Sequence, residues 1–222
     1  MTTFDESWSG RLRKVSDLER PDHWYLTAED DCVFFGEYTA RGGYGHSSTN
    51  QLIHNLKKKP ELAGTPQYFW KGRAITTVAN AVRGNLKPSA LADIAIVPIP
   101  PSKRADAPGY DDRMIRVARG VSPNLDVREL LVTTKTREAA HEQQNHRDPA
   151  ELRASLAVVA ERVANPPTLA ILLDDVLTTG CSFTVCKAML GEVWPQTGVL
   201  GLFVARRVID RSAAFDFEDL DL

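Results

Sequence analysis

The chain has 222 residues, enough for one large domain or a domain with a substantial extension, and enough to bury a core. Hydrophobic residues at 43% and charged residues at 25% are ordinary for a soluble globular protein, and a net charge of −2 argues against a nucleic-acid surface as its main purpose. Three cysteines, Cys32, Cys181 and Cys186, form no CxxC, which speaks against a disulfide scaffold and a structural zinc site and for a reducing compartment.

The opening MTTFDESWSGRLRK is polar, with no apolar stretch behind it. It does not read as a secretory signal, and no run approaches the ~20 apolar residues a bilayer span needs, so a cytoplasmic location is expected. Residues up to about 30 form a polar lead-in, with Trp8 and Trp24 as packing anchors. DCVFFGEYTA (31–40) has the content of a strand, and RGGYGHSS (41–48) that of a turn or loop. Ser48 or Thr49 then caps a helix over TNQLIHNLKKK, whose lysines suit its C-terminal end and which Pro60 stops. A second helix is predicted from near Arg73 to Leu86, with Ile75, Val78, Ala79 and Val82 at helical spacing.

From there strands and helices alternate. DIAIVPIP (93–100) is a buried strand, DDRMIRVARGV (111–121) a helix and LDVRELLV (125–132) a strand. KTREAAHEQQNHRDPAELRASL (135–156) is charged and helical in part. TLAILLDD (168–175) is the most apolar strand, TGCSFTVCKAMLGEV (179–193) its following helix and TGVLGLFVARR (197–207) the last strand. This order predicts an α/β fold, a doubly wound and mainly parallel sheet, with residues 1–70 as an N-terminal hood or extension and 71–222 as the core with an acidic tail. Ligands of such sheets bind outside the carboxyl ends of the strands, where the loops after Val97 and Leu173 stand.

The second of these loops carries the chemistry. ILLDDVLTTGCSF drives an apolar strand into Asp174 and Asp175, then opens a helix through Thr178, Thr179, Gly180 and Cys181. A glycine turn at a helix N-terminus offers backbone N–H groups and partial positive charge to a phosphate, with Thr178, Thr179 and Ser182 adding hydroxyls. Carboxylates beside such a site suit vicinal hydroxyls, a metal ion or a cationic transition state, and a sugar phosphate satisfies the whole set. A Walker B element is a poor match, since the chain has no GxxxxGK[ST], and receiver domains lack the TTG loop. Helix capping accounts for one aspartate, not two.

ILLDDVLTTGCSF closely resembles the phosphoribosyl-diphosphate (PRPP) motif of type I phosphoribosyltransferases. The resemblance implies that Asp174 and Asp175 hold ribose and metal, and that Val176, Leu177, Thr178, Thr179, Gly180, Cys181 and Ser182 form the phosphate loop. It implies a pyrophosphate and metal loop at Pro101, Ser102, Lys103 and Arg104 in IVPIPPSKR (96–104), whose VPxPxSK wording is similar to the ComF subgroup. STNQLIHNLKKKPE and the 135–156 segment also resemble ComF proteins, so the likeness spans roughly residues 33–206. Lys135 and Arg137 fall where the family has a mobile loop closing over pyrophosphate, although a solvated charged helix reads equally well. The chain lacks the N-terminal zinc-binding cysteines common in ComF proteins, and His141 stands where a glutamine is expected.

Two other constellations are weaker. HEQQNH (141–146) spaces its histidines five apart rather than as HExxH, and no lysine follows GGYGHSS as a phosphate loop requires. Tyr38, Tyr44 and Phe35 suit either a nucleobase or a core. The resemblance implies an enzyme that uses Mg²⁺ and PRPP to transfer 5-phosphoribose to a nitrogen acceptor, nucleobase-like in kind. It is compatible with a homodimer, without membrane or nucleic acid as main ligand. The rival readings are a PRPP- or nucleotide-sensing regulator without catalysis, and an accessory factor in DNA uptake or defence.

Overall fold

The computed structural model describes residue 8, residues 10–136 and residues 148–208. Its main sheet has six strands: β1 (Arg13–Lys14), β2 (Cys32–Thr39), β3 (Ile94–Pro98), β4 (Asp126–Val127), β7 (Leu169–Leu177) and β8 (Gly198–Val208). They lie in the order β1-β2-β8-β7-β3-β4, all parallel except the β1–β2 pair. Helices α1 (Ser48–Leu56), α2 (Pro66–Asn85) and α3 (Arg113–Val121) cover one face, and α5 (Cys181–Val193) covers the other. The α/β, mostly parallel architecture read from the sequence is the one found. The expected N-terminal extension supplies β2, which pairs with β8 in this same sheet.

Strand parity divides the core. Ile171 and Leu173 of β7 enter the α1–α3 layer, whereas Ala170 and Leu172 enter the α5 layer. β7 is apolar on both faces because both are covered. It continues through both aspartates to Leu177, past the end expected at Asp175, because Val176 and Leu177 still pair with Ala205 and Arg206 of β8.

Several boundaries differ from the sequence reading for local reasons. Ser47, not Ser48 or Thr49, caps α1, its hydroxyl accepting the Asn50 N–H at 3.1 Å. α2 begins at Pro66, where proline is pre-set for a helix start, well before Arg73; its first turn largely faces solvent and the residue the helix buries before Ala74 is Lys71, so no apolar stripe marks this part. LDVRELLV is not one strand. β4 pairs with β3, then the chain leaves the sheet and β5 (Leu131–Thr133) forms an antiparallel pair with β6 (Leu156–Val158). The fully buried Leu130 spans this change of partner, so the apolar run is continuous although the strand is not. Among the described residues of the charged segment, α4 (Pro149–Ala154), capped by Asp148, is helical. Trp8 is an anchor, its ring edge-on to Phe35 and its Nε1 donating to Thr49 Oγ1 at 3.1 Å. Trp24 is not, being half exposed. Among the described residues no helix is long and apolar enough to cross a membrane.

α1 packs unusually close to β2 at Gly36, where a Cβ would stand 2.4 Å from the Thr49 hydroxyl and 2.8 Å from its methyl. Gly36→Ala is therefore expected to cost about 1–3 kcal/mol of stability in denaturant unfolding, with part recovered by Thr49→Ala in the same chain.

Candidate functional site

β3 and β7 are neighbours in the sheet, and the loops at their carboxyl ends open on one cleft of about 460 Å³. The β7 side contributes Asp174, Asp175, Val176, Leu177, Thr178, Gly180 and Ser182, and the β3 side Pro100, Pro101, Ser102 and Lys103. The two loops singled out in the sequence thus meet in space. Lys57, Lys59, Glu61, Asp111 and Arg113 complete the polar lining. Among the expected residues, Val176 and Leu177 form buried wall, while Cys181 is buried in the α5 layer behind it. The Thr179 carbonyl points to the outer side of the loop and accepts the Tyr25 N–H at 3.0 Å. Arg104 is exposed and pairs with Asp106 at 2.7 Å. Lys135 is exposed just beyond β5, and Arg137 and His141 lie outside the described residues.

The phosphate-loop candidate is braced from outside by residues 23–26. Gly180 precedes α5 with φ +87°, a left-handed conformation that favours glycine, and a Cβ there would lie 2.9 Å from the Leu26 side chain. His23 is fully buried, and its Nδ1 contacts the Thr178 carbonyl. A carbonyl only accepts, so Nδ1 carries the proton, and burial holds the ring neutral by lowering its pKa.

The aspartates are adjacent in sequence but unlike in environment. Asp175 shares the parity of Ile171 and Leu173 and is buried toward α1 and α3. Arg113 Nε donates to its Oδ2 at 2.8 Å, Nη2 contacts the same oxygen, and Lys57 Nζ stands 3.4 Å from Oδ1. Burial acts to raise the Asp175 pKa, but Arg113 and then Lys57 outweigh it and hold the carboxyl well below its usual range. Asp174 is half-buried, and its Oδ1 accepts the Asp175 N–H at 2.8 Å. Burial, with the charge of Asp175 adding to it, pushes its carboxyl up to about 7. Both aspartates line the cleft, but Asp175 is already neutralised by Arg113 and Lys57, so of the two Asp174 is the carboxylate offered to it.

Sequence reasoning missed Lys57, Asp111 and Arg113. Arg113 carried one usable signal: it opens a helix, where the macrodipole disfavours a cation, directly after two aspartates. Its position there is explained by Asp175 and by Asp111, whose Oδ2 accepts from Nη1 at 2.8 Å. The β3 loop is tied to the β5–β6 hairpin as well: Thr133 Oγ1 donates to the Pro101 carbonyl at 2.6 Å, and Arg104 N–H to Thr136 Oγ1 at 3.3 Å. Comparison of the chain with protein-family models and with curated proteins returns no match.

The Asp174 carboxyl binds its proton more tightly folded than unfolded. Between its ordinary value of 3.8 and about 7, its contribution to stability therefore falls as pH rises. Asp175 acts oppositely, its contribution being present above 3.8 and lost in acid. Asp174→Asn keeps the acceptor for the Asp175 N–H and removes the titration. Thermal unfolding from about pH 5 to about pH 8 is expected to show the variant gaining on wild type as pH rises; a difference independent of pH would refute this.

Proposed function

We propose that the protein binds PRPP with Mg²⁺ and transfers 5-phosphoribose to a nitrogen acceptor, releasing pyrophosphate. The observation that carries this reading is the convergence of the DDVLTTG and PPSK loops on one cleft at the carboxyl edge of a parallel sheet, with Asp174 facing into it. The resemblance to type I phosphoribosyltransferases, ComF-like in wording, supplies the identity of the sugar phosphate, and a cytoplasmic enzyme fits it.

In this reading the loop from Leu177 to Ser182 receives the 5′-phosphate at the start of α5, and Asp174 meets the ribose hydroxyls. Ser102 and Lys103 face the diphosphate. The C1–oxygen bond to pyrophosphate breaks, a bond from C1 to the acceptor nitrogen forms, and the nitrogen's proton is released. Positioning and electrostatics supply the acceleration: cations meet the leaving group, and Asp174 meets the positive charge that develops on the ribose.

The donor set suits a metal that arrives with its ligand. Among the described residues no group of three or more His, Cys, Asp or Glu side chains surrounds a cation position, and Mg²⁺ is commonly held by one or two carboxylates together with substrate phosphates. Asp174 fits that mode. Asp175, with both oxygens facing Arg113 and Lys57, does not. Bound there, Mg²⁺ supplies charge neutralisation to the departing pyrophosphate.

Isothermal titration with PRPP and Mg²⁺ tests the binding claim. Wild type is expected to bind, and Asp174→Asn to bind about tenfold or more weakly, as loss of a charged hydrogen-bond partner implies. No binding by wild type, or equal binding by the variant, would sink it. Pyrophosphate release with nucleobase acceptors then separates a transferase from a sensor that binds without turnover.

A further inference from the structure

Lys71 has no exposed surface, lying on the inner side of α2, and none of the site residues read from the sequence includes it. Its ammonium makes three hydrogen bonds, to the Leu56 carbonyl at 2.9 Å, the Lys58 carbonyl at 2.7 Å and Asp111 Oδ2 at 2.7 Å. Burying an ammonium costs several kcal/mol, and well-packed apolar residues in place of buried ion pairs are often at least as stable. Stability alone is therefore a weak account of this lysine.

Its acceptors supply a better one. Two are the peptide carbonyls on either side of Lys57, at the C-terminal end of α1. The third, Asp111 Oδ2, also accepts from Arg113 Nη1. Lys57 and Arg113 are the two cations on Asp175. One buried ammonium thus joins the backbone that carries the first cation to the carboxylate that orients the second.

We propose that Lys71 is a positioning residue: by tying the end of α1 to Asp111 it holds Lys57 and Arg113 on Asp175, leaving Asp174 as the carboxylate offered to ligand. Neither the length of the chain between them nor any motif links these residues. Lys57, Lys71, Asp111, Arg113 and Asp175 come from the end cap of α1, from α2, the approach to α3, α3 and β7. A lysine serving only to stabilise the fold would lower the melting temperature without disturbing the Arg113 pair.

The ligand-free protein provides the first test. The Arg113 Nε–H resonance, assigned by its loss in Arg113→Lys, is expected to be resolved and slow to exchange in wild type. In Lys71→Met it should broaden or exchange rapidly at a temperature where circular dichroism shows the fold intact. An unchanged Arg113 signal overturns the proposal. Should Lys71→Met fail to fold, Lys71→Gln, which leaves Asp111 and its bond to Arg113 Nη1 in place, is read in the same way.

The consequence for ligand rests on the phosphoribosyl reading. Affinity for PRPP with Mg²⁺ is expected to fall about tenfold in Lys71→Met and in Asp175→Asn, and little further in the double variant, because both act on one contact. Additive losses would overturn the coupling. Failure of wild type to bind PRPP would reject the phosphoribosyl reading alone, with the Arg113 signal still deciding the role of Lys71.

Discussion

A carboxylate buried at the end of the central strand is the constraint around which the cleft is built. Asp175 sits near the carboxyl end of β7, buried between core residues of the strand and facing the layer formed by α1, α2 and α3. A buried charge without a partner is prohibitive, so each of these helices answers it. α3 brings Arg113 to its first turn, α1 ends just before Lys57, and α2 supplies the Lys71 that links the two. One strand residue thereby dictates where three helices begin, end or face.

The same arrangement separates two aspartates that look equivalent in sequence. With Asp175 neutralised, Asp174 is the acid whose charge is still available to the cleft, and its proton is held near neutral pH by burial and by its neighbour. A site that meets both phosphate and sugar needs this asymmetry. The lining sets four cations, Lys57, Lys59, Lys103 and Arg113, against four acids, Glu61, Asp111, Asp174 and Asp175, and pairing Asp175 with Arg113 and Lys57 and Asp111 with Lys71 leaves Asp174 as an acceptor for hydroxyls. On the phosphoribosyl reading, the paired acids divide their work: one organises the cations, the other touches ligand.

What was legible in the sequence follows from what is local. The apolar run before Asp174, the glycine turn at Gly180 and the proline-stiffened Val97–Lys103 stretch are each set by neighbouring residues, so the parallel sheet and its two loaded loops could be read directly. α2 from Pro66 to Arg73 could not, because an exposed first turn has no apolar period to show. LDVRELLV failed for another reason: a run stays apolar when a chain passes from one buried partner to another. The ion chain was illegible because its members are distant in sequence, and each alone has an ordinary reading. Lys57 reads as one of the lysines at the C-terminal end of a helix, Arg113 as part of the helix over 111–121, and Lys71 falls before the helix expected from near Arg73. Only tertiary packing reveals that Lys71 has no access to solvent.

The β3 loop shows how the remaining parts are coupled. Its Pro101 carbonyl is held by Thr133 of the β5–β6 hairpin and its Arg104 N–H by Thr136, so the loop is tied to the hairpin end that carries Lys135. Lys103 lines the cleft while donating to the Pro108 carbonyl at 2.8 Å. That bond has a neutral acceptor. A phosphate oxygen is the stronger partner for an ammonium, because charge-assisted hydrogen bonds are roughly twice as strong as neutral ones. On the phosphoribosyl reading, an incoming diphosphate would draw Lys103 from that carbonyl. Arg113 differs, since drawing it away would strip Asp175 of its neutralising charge. The cleft accordingly presents two kinds of cation: Arg113, paired with the fold's buried acid, and Lys103, hydrogen-bonded to a neutral carbonyl.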